Sequence, residues 1–319
     1  MPEGECLNTV PVERPQSLLS HVKLFFALSR TPHGVLDMAT PALAALLWLG
    51  SIPSLGVALL GVMTAFAGYT AVYAINDLVD YRVDKLKLER GGFRDTGDYL
   101  DAILVRHPMA YGLLSFKEAV LWTIGWSSVA LVGAALLNPF CVVIFVAACL
   151  LETVYCLMWK TSYLRTLVSG AVKTSGPVAA VYAVDPNPDL SFLLLLFLWL
   201  FCWEIGGQNI PADWTDIEED RSLHARTIPV SFGPATAAVI VMISLAIAVG
   251  LSGLILGLPR GPVELVWSFF LPAAGVYLLL LPAYQLYVTK DRREAAQLFN
   301  RASYYPLAIL ILVAAKVLS

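Results

Sequence analysis

The sequence predicts an all-α integral membrane protein, on three observations. Of its 319 residues, 58% are hydrophobic and only 14% charged, and the mean hydropathy is +0.72. Ordinary soluble domains carry about 25% charged residues. Apolar runs recur at about 20 residues, the length that crosses a hydrocarbon core. The Lys and Arg residues also fall on alternate loops between those runs, as the positive-inside rule requires.

Taken in order, the runs give nine spans at about 32–51, 54–76, 117–137, 140–158, 164–184, 191–209, 234–257, 263–288 and 303–318. With the N-terminus cytoplasmic, the N-terminal arm and the loops after spans 2, 4, 6 and 8 hold 18 of the 21 Lys and Arg residues. Arg260 and Lys316 fall on the other side and Lys173 within a span. Residues 1–31 form a cytoplasmic arm, with His21–Arg30 as an amphipathic lead-in lying on the membrane. Met1 to Arg14 has no basic stretch ahead of an apolar run, so no cleavable signal is expected. Residues 32–319 read as one membrane domain with cytoplasmic cap loops at about 77–116 and 210–233. Cys6, Cys141, Cys149, Cys156 and Cys202 lack C-x-x-C spacing and mostly lie in spans, which suits buried apolar cysteines. A net charge of −3 gives no sign of a nucleic-acid partner.

Two acidic motifs stand out against this apolar background. Asn76-Asp77-Leu78-Val79-Asp80-Tyr81-Arg82-Val83-Asp84 follows span 2, and Asp213-Trp214-Thr215-Asp216-Ile217-Glu218-Glu219-Asp220 follows span 6. Both contain D-x-x-D-x-x-x-D, offset by 136 residues, so each sets three carboxylates at i, i+3 and i+7 on one face of a helix. Six clustered acids beside a bilayer repel one another unless cations neutralise them. Hard divalent ions take oxygen ligands, and Mg²⁺ typically bridges carboxylates to phosphate oxygens. The motifs therefore suit a diphosphate held through metal at a membrane surface. The equal offset also suggests two four-helix halves, spans 1–4 and 5–8, with a ninth helix completing the bundle.

These residues resemble the UbiA superfamily of intramembrane prenyltransferases. Asn76, Asp77, Asp80 and Asp84 match its first signature, N-D-x-x-D-x-x-x-D, in full, and Asp216 and Asp220 match its D-x-x-x-D, with Asp213 in addition. Arg226-Thr227-Ile228-Pro229-Val230-Ser231-Phe232-Gly233 resembles the family's K-T-L-P-V-x-x-G, and His107-Pro108-Met109-Ala110-Tyr111-Gly112 its R-P-L-A-S-G. Arg30-Thr31-Pro32-His33 opens the first helix much as the family does. There are departures. His107 replaces an arginine, the family's Tyr-x-x-x-Lys has one extra residue between Tyr155 and Lys160, and the loop from Asp84 to His107 is long, with Gly91-Gly92 and a possible short helix at Asp98–Val105.

The resemblance implies a UbiA-like bundle and transfer of a prenyl group from a prenyl diphosphate. Asp77, Asp80 and Asp84 would hold one Mg²⁺, and Asp213, Asp216 and Asp220 a second, so these six are the catalytic and metal-binding candidates. Lys160, Arg165, Arg106 and Arg226 are the basic candidates for the diphosphate, and Asn76, Glu204 and Asn209 complete the substrate-binding set. Arg82 and Lys85 are expected to pair with the first motif's acids.

Inside the spans, Asp37, Glu152, Lys173 and Glu204 are costly unless they face a cavity or a partner. They predict a polar pocket with an apolar chamber beyond it, in which Glu152 and Lys173 either form an ion pair or bind the acceptor. Tyr69, Tyr73, Trp203 and Trp214 lie near the motifs and offer ring faces to a cation, although such residues often act as interfacial anchors. His33 and His224 read as surface or loop residues. Pro41, Pro177, Pro272 and Pro282 are expected to kink their helices.

The expected partners are a prenyl diphosphate donor, a small aromatic or lipid acceptor, and membrane lipid. The acceptor leans to an aromatic or quinone precursor; glycerol-phosphate lipid, tetrapyrrole, or phosphoribosyl diphosphate with polyprenyl phosphate are alternatives. A divalent-cation transporter would place its acids near the midplane, and a non-catalytic isoprenoid-binding protein would tolerate their loss. A bacterial chain would lie in the cell's inner membrane with its site facing the cytoplasm.

Overall fold

The computed structural model describes residues 17–90, 103–257, 270 and 272–318. Its helices are α1 Leu18–Leu28, α2 Thr31–Asp37, α3 Ala39–Leu49, α4 Leu55–Glu89, α5 Phe116–Leu137, α6 Pro139–Leu157, α7 Arg165–Val184 and α8 Leu190–Trp203. A π-helical stretch, Glu204–Asn209, leads to α9 Ile210–Thr215, α10 Ile217–Ser222 and α11 Ile228–Gly257. A second π-helical stretch, Val276–Leu280, precedes α12 Leu281–Thr289 and α13 Arg292–Leu318. There is no strand among the described residues.

Seven helical stretches among the described residues are long and apolar enough to cross a membrane: α4, α5, α6, α7, α8 through α9, α11 and α13. The first expected span is instead divided at Met38 into α2 and α3, each shorter than a bilayer crossing. The eighth falls partly outside the described residues. Two helices outrun their apolar cores: α4 continues past residue 76 to Glu89 and carries the first acidic motif, and α13 starts at Arg292. Charged turns beyond the apolar stretch extend a helix without lengthening its hydropathy signal, so the expected boundaries fell short.

Local chemistry fixes the helix starts. Ser115 caps α5 in a reciprocal box with Glu118, Asn138 caps α6 ahead of Pro139, and Asp189 accepts from the backbone N–H groups of Ser191 and Phe192 at α8. Gly233, at φ 77°, breaks the run into α11, and Pro234 restarts it where the seventh span was expected. Pro41 sits in the first turn of α3, where a missing N–H costs little, while Pro282 directly follows the π-helical stretch Val276–Leu280 and Pro177 lies inside α7. The lead-in α1 packs on α5: Phe25 stacks on Trp122, whose Nε1 donates to Ser29 Oγ at 2.9 Å.

The bundle has a solid side and a hollow side. Trp199, Trp203, Trp214 and Tyr305 fill a continuous apolar core joining α8, α9, α11, α12 and α13 to α3 and α7. On the other side, α3, α4, α5, α6 and α7 wall a cavity of about 430 Å³. Large apolar side chains such as Leu121, Val132, Leu150 and Leu194 point outward, as lipid-facing positions do.

Candidate active site

Both acidic rows lie just beyond one end of the cavity, next to Asn76 and Ala212, which line it, and basic side chains stand between them. On α4, Asp77 and Asp84 are buried with Asn76. Arg30 donates to Asn76 Oδ1 at 3.1 Å and to Asp77 Oδ1 at 3.4 Å, and Asn76 Nδ2 donates to Glu152 Oε1 at 2.6 Å. His107 Nδ1 lies 3.3 Å from Asp77 Oδ1 and 2.9 Å from Asp84 Oδ2. Burial opposes a charge on this imidazole, but Asp84 and Asp77 outweigh it and push its pKa up to about 9. Arg30 and His107 both hold left-handed backbone, at φ 43° and 52°. Such conformations are costly away from glycine, and they aim both side chains at the acids.

The second row is built differently. Asp213 lies in α9, Asp216 occupies the break between α9 and α10 at φ −107°, and Asp220 lies in α10. The expectation of three carboxylates on one continuous helix holds for α4 and fails here. Arg165 Nη1 donates to Asp213 Oδ1 at 3.1 Å, while the buried Oδ2 has no hydrogen-bond partner. Asp216 meets Arg106 at 3.4 Å and Lys87 at 3.7 Å, and Asp220 meets Lys87 at 2.8 Å. Burial would raise the Asp216 pKa, but Arg106 and Lys87 carry it down to about 2. For Asp220, burial outweighs Lys87 and the pKa rises.

Several candidates converge and others do not. Arg106 and Arg165 stand among the acids. Arg165 also stacks on the Tyr155 ring at 4.0 Å, and the Tyr155 hydroxyl accepts from Asn209 Nδ2 at 3.0 Å. Tyr155 therefore lies in the cluster despite its shifted spacing. Lys160 is exposed on the ring of Trp159, and the Arg226 side chain is exposed, its backbone N–H donating to Trp159 O. Arg82 and Lys85 project outward, and Lys87 is the α4 cation that reaches acids, those of the opposite row. The turns that aim Arg30, Lys87 and His107 arise from tertiary packing. The motif matches flagged Arg30 and His107 by position and an i+3 step from Asp84 hinted at Lys87, but none of these signals gave the contacts.

The buried polar groups beneath the rows depart from expectation in their pairing. Lys173 Nζ contacts Asp37 Oδ2 at 2.6 Å and the Tyr73 hydroxyl at 2.9 Å, and Tyr73 also bonds Asp37. Glu152 is taken by Asn76, so the expected Glu152–Lys173 pair is replaced by Asp37–Lys173. His33 is buried, stacked on Phe299 at 5.1 Å with Nε2 3.7 Å from Asp37, and is no surface residue. His224 is exposed. Tyr69 and Tyr73 line the cavity, but Trp203 and Trp214 belong to the apolar core. Most of the cavity wall beyond this polar end is apolar, with Val57, Gly61, Ala65, Ile144 and Ala180 among its residues.

Fold and site together define a class: a polytopic, all-helical membrane protein whose paired carboxylate rows close one end of an apolar chamber. A model of the UbiA prenyltransferase family matches residues 38–305. The chain belongs to that family and is an enzyme of the prenyltransferase class. It is 23% identical over 297 residues to digeranylgeranylglyceryl phosphate synthase of Thermococcus kodakarensis, covering 92% of this chain and 99% of that one. Identity to 4-hydroxybenzoate octaprenyltransferase of Saccharophagus degradans is also 23%, over 287 residues, covering 88% and 86%. Among solved structures, the apo UbiA homolog of Aeropyrum pernix superposes with a TM-score of 0.68 at 20% identity, covering 89% of this chain and 98% of that one. The Archaeoglobus fulgidus UbiA homolog bound to GPP and Mg²⁺ gives 0.66 at 19%, covering 91% and 99%.

Proposed function

We propose that this enzyme transfers a prenyl group from a prenyl diphosphate to an aromatic or quinone-precursor acceptor, in a Mg²⁺-dependent reaction at the cytoplasmic face of the membrane. The observation that carries this reading is the position of the two acidic rows, which cap the polar end of an apolar chamber suited to an isoprenoid tail. The donor set suits a divalent ion. Asp77 and Asp84 converge on the point where the His107 ring now stands, and Asp213 keeps a buried oxygen without a partner. Asp77, Asp80 and Asp84 would hold one ion and Asp213, Asp216 and Asp220 a second. Bound Mg²⁺ supplies charge neutralisation for the departing diphosphate.

The chain's own residues perform the rest. Arg165, Lys87 and Arg106 bring fixed positive charge to the oxygen on which negative charge develops as the allylic carbon–oxygen bond breaks. Arg30 and Asn76 hold Asp77 and Glu152 in place. Tyr155 orients Arg165, and Tyr69 and Tyr73 line the chamber where the allylic carbon would lie. Lys160 and Arg226 would at most meet a headgroup at the surface. Glu204 and Asn209 would face the acceptor. The nine-span topology with a cytoplasmic N-terminus remains part of this reading, with α2 and α3 together forming the first span.

A glycerol-phosphate lipid acceptor is the second reading, favoured by the match over 99% of the Thermococcus synthase. The test supplies membranes containing the protein with labelled prenyl diphosphates of several lengths and pooled phenolic, naphthoic and glycerol-phosphate acceptors. Labelled lipid that requires Mg²⁺, Asp77 and Asp216 supports prenyl transfer, and its mass names the acceptor. No product and no diphosphate release from any donor, beside a working control enzyme, would overturn it.

A further inference from the structure

Beneath the acidic rows, the cavity wall carries polar atoms that are not all used. Glu204 opens the π-helical stretch and lines the cavity. Its Oε1 accepts from Ser169 Oγ at 2.8 Å, while Oε2 has no hydrogen bond and lies 3.9 Å from Lys173 Nζ. That ammonium is engaged at shorter range by Asp37 and Tyr73. Gln208, one turn on, lines the same wall. Its Nε2 donates to Phe299 O at 3.3 Å and to Ser303 Oγ at 3.2 Å. A carbonyl can only accept, so the amide orientation is fixed and Oε1 is left buried without a partner. Glu204 and Gln208 are 5% and 2% exposed, so bulk water does not satisfy them.

Two buried acceptor atoms facing one cavity call for a ligand that brings donors. Charge gives the same answer by a separate route. The basic groups around this end of the chamber are already engaged: Lys173 with Asp37 and Tyr73, Arg30 with Asn76 and Asp77, His33 with Asp37, and Arg165 with Asp213. An anionic group placed against the wall would meet Glu204 Oε2 and the carbonyl oxygen of Gln208, both acceptors, and no uncommitted cation, at high cost in a low dielectric.

We propose that Glu204 and Gln208 form the acceptor subsite and select an acceptor presenting neutral hydroxyl groups to this wall, an uncharged phenol or polyol, over one presenting a carboxylate or phosphate. The proposal rests on the prenyl-transfer reading and narrows its acceptor class.

The test is equilibrium binding to the full chain in lipid nanodiscs at pH 7.5. The two labelled probes share a ring: 4-hydroxybenzyl alcohol, which is neutral, and 4-hydroxybenzoate, which is a carboxylate. The alcohol is expected to bind at least about tenfold more tightly to the wild type. Glu204→Gln removes the charge at nearly constant shape and brings that ratio close to one. Gln208→Leu weakens the alcohol and leaves the carboxylate unchanged. Mg²⁺-dependent binding of labelled geranylgeranyl diphosphate, measured on the same samples, reports an intact donor site. Carboxylate binding as tight as the alcohol in the wild type, or an unchanged ratio in Glu204→Gln, overturns the inference. So does the absence of binding by both probes while the diphosphate binds. If the diphosphate also fails to bind, the prenyl-transfer reading itself falls.

Discussion

On α4 the row Asp77, Asp80, Asp84 rides one uninterrupted helix of 35 residues, whereas Asp213, Asp216 and Asp220 follow a π-helical stretch and are divided between two six-residue helices. The sequence spacing is the same; the backbones are not. The stretch that carries the first row, Tyr69 to Glu89, contains neither glycine nor proline, while Gly206, Gly207 and Pro211 precede the second row. Equal spacing therefore reflects equal chemistry at the two rows and does not guarantee equal secondary structure. The break at Asp216 turns that carboxylate toward Arg106 and Lys87, and Lys87 comes from the end of the unbroken helix. One row is rigid and supplies a cation to the other; the other is jointed and receives it.

Four perturbations would break or sharpen this comparison. The largest effect is expected from Asp77→Ala and Asp216→Ala, each lowering kcat by about 10²- to 10³-fold, the scale of losing a preorganised electrostatic group. Similar losses, measured as labelled product, would make the rows equivalent in function. Wild-type turnover in either variant would end the two-row account.

Next comes Arg165→Ala against Lys160→Ala. Arg165 is held between Tyr155 and Asp213, so its loss should cost about 10²-fold, while Lys160, exposed on Trp159, should change turnover less than about threefold, as a surface substitution does. The reverse order in steady-state kinetics would restore the lysine to the site.

Gly207→Val tests the joint. A Cβ at Gly207 would approach Ala302 Cβ to 2.8 Å, so the larger side chain should destabilise by about 1–3 kcal/mol and displace the second row. Thermal unfolding in detergent would show the loss, and the first row should still bind Mn²⁺ by paramagnetic resonance. Loss of both rows together would mean that they are not separable.

The smallest effect on rate is expected from Gly61→Phe, on the apolar stretch of α4. No atom lies within 4 Å of a Cβ built there and the position lines the cavity, so the ring fits and takes up chamber volume. Ten-carbon donors should be used about as well as by the wild type and twenty-carbon donors several-fold less, read as product ratios in competition. An unchanged ratio would place the tail elsewhere.

Much of this was legible in the chain. Apolar runs of bilayer length gave α5, α6, α7 and the end of α11 nearly to the residue, because lipid-facing helices are selected on composition along their whole length. The acidic motifs stood out because carboxylates are rare in such a background. The pairing was not legible. Lys173 meets Asp37 from 136 residues away and Lys87 meets Asp220 across the bundle. No local spacing encodes a contact set by how α3 packs on α7, or by where α4 ends. Arg30 and His107 stood in recognised motifs, but their aim at the acids depends on left-handed backbone, which neither residue type announces. Lys160 misled because distance from Tyr155 along the chain is not distance in space once α6 has ended.

The π-helical stretch Glu204–Asn209 carries one consequence beyond its polar atoms. Each residue of an ordinary helix advances the chain by about 100°, so a π turn behaves as a one-residue phase shift between the segment before it and the segment after. Upstream, Trp199 and Trp203 are locked into the core. Downstream, Asp213 faces Arg165. Forcing this stretch into regular α-helix at unchanged length would leave both tryptophans seated, yet it would swing Asp213, Asp216 and Asp220 about a quarter turn off the first row, whereas removing one residue at Gly206 would take out the bulge and keep their aim. The second row thus owes its aim to one extra residue absorbed in the helix, a frame setting that regular α-helical spacing does not supply.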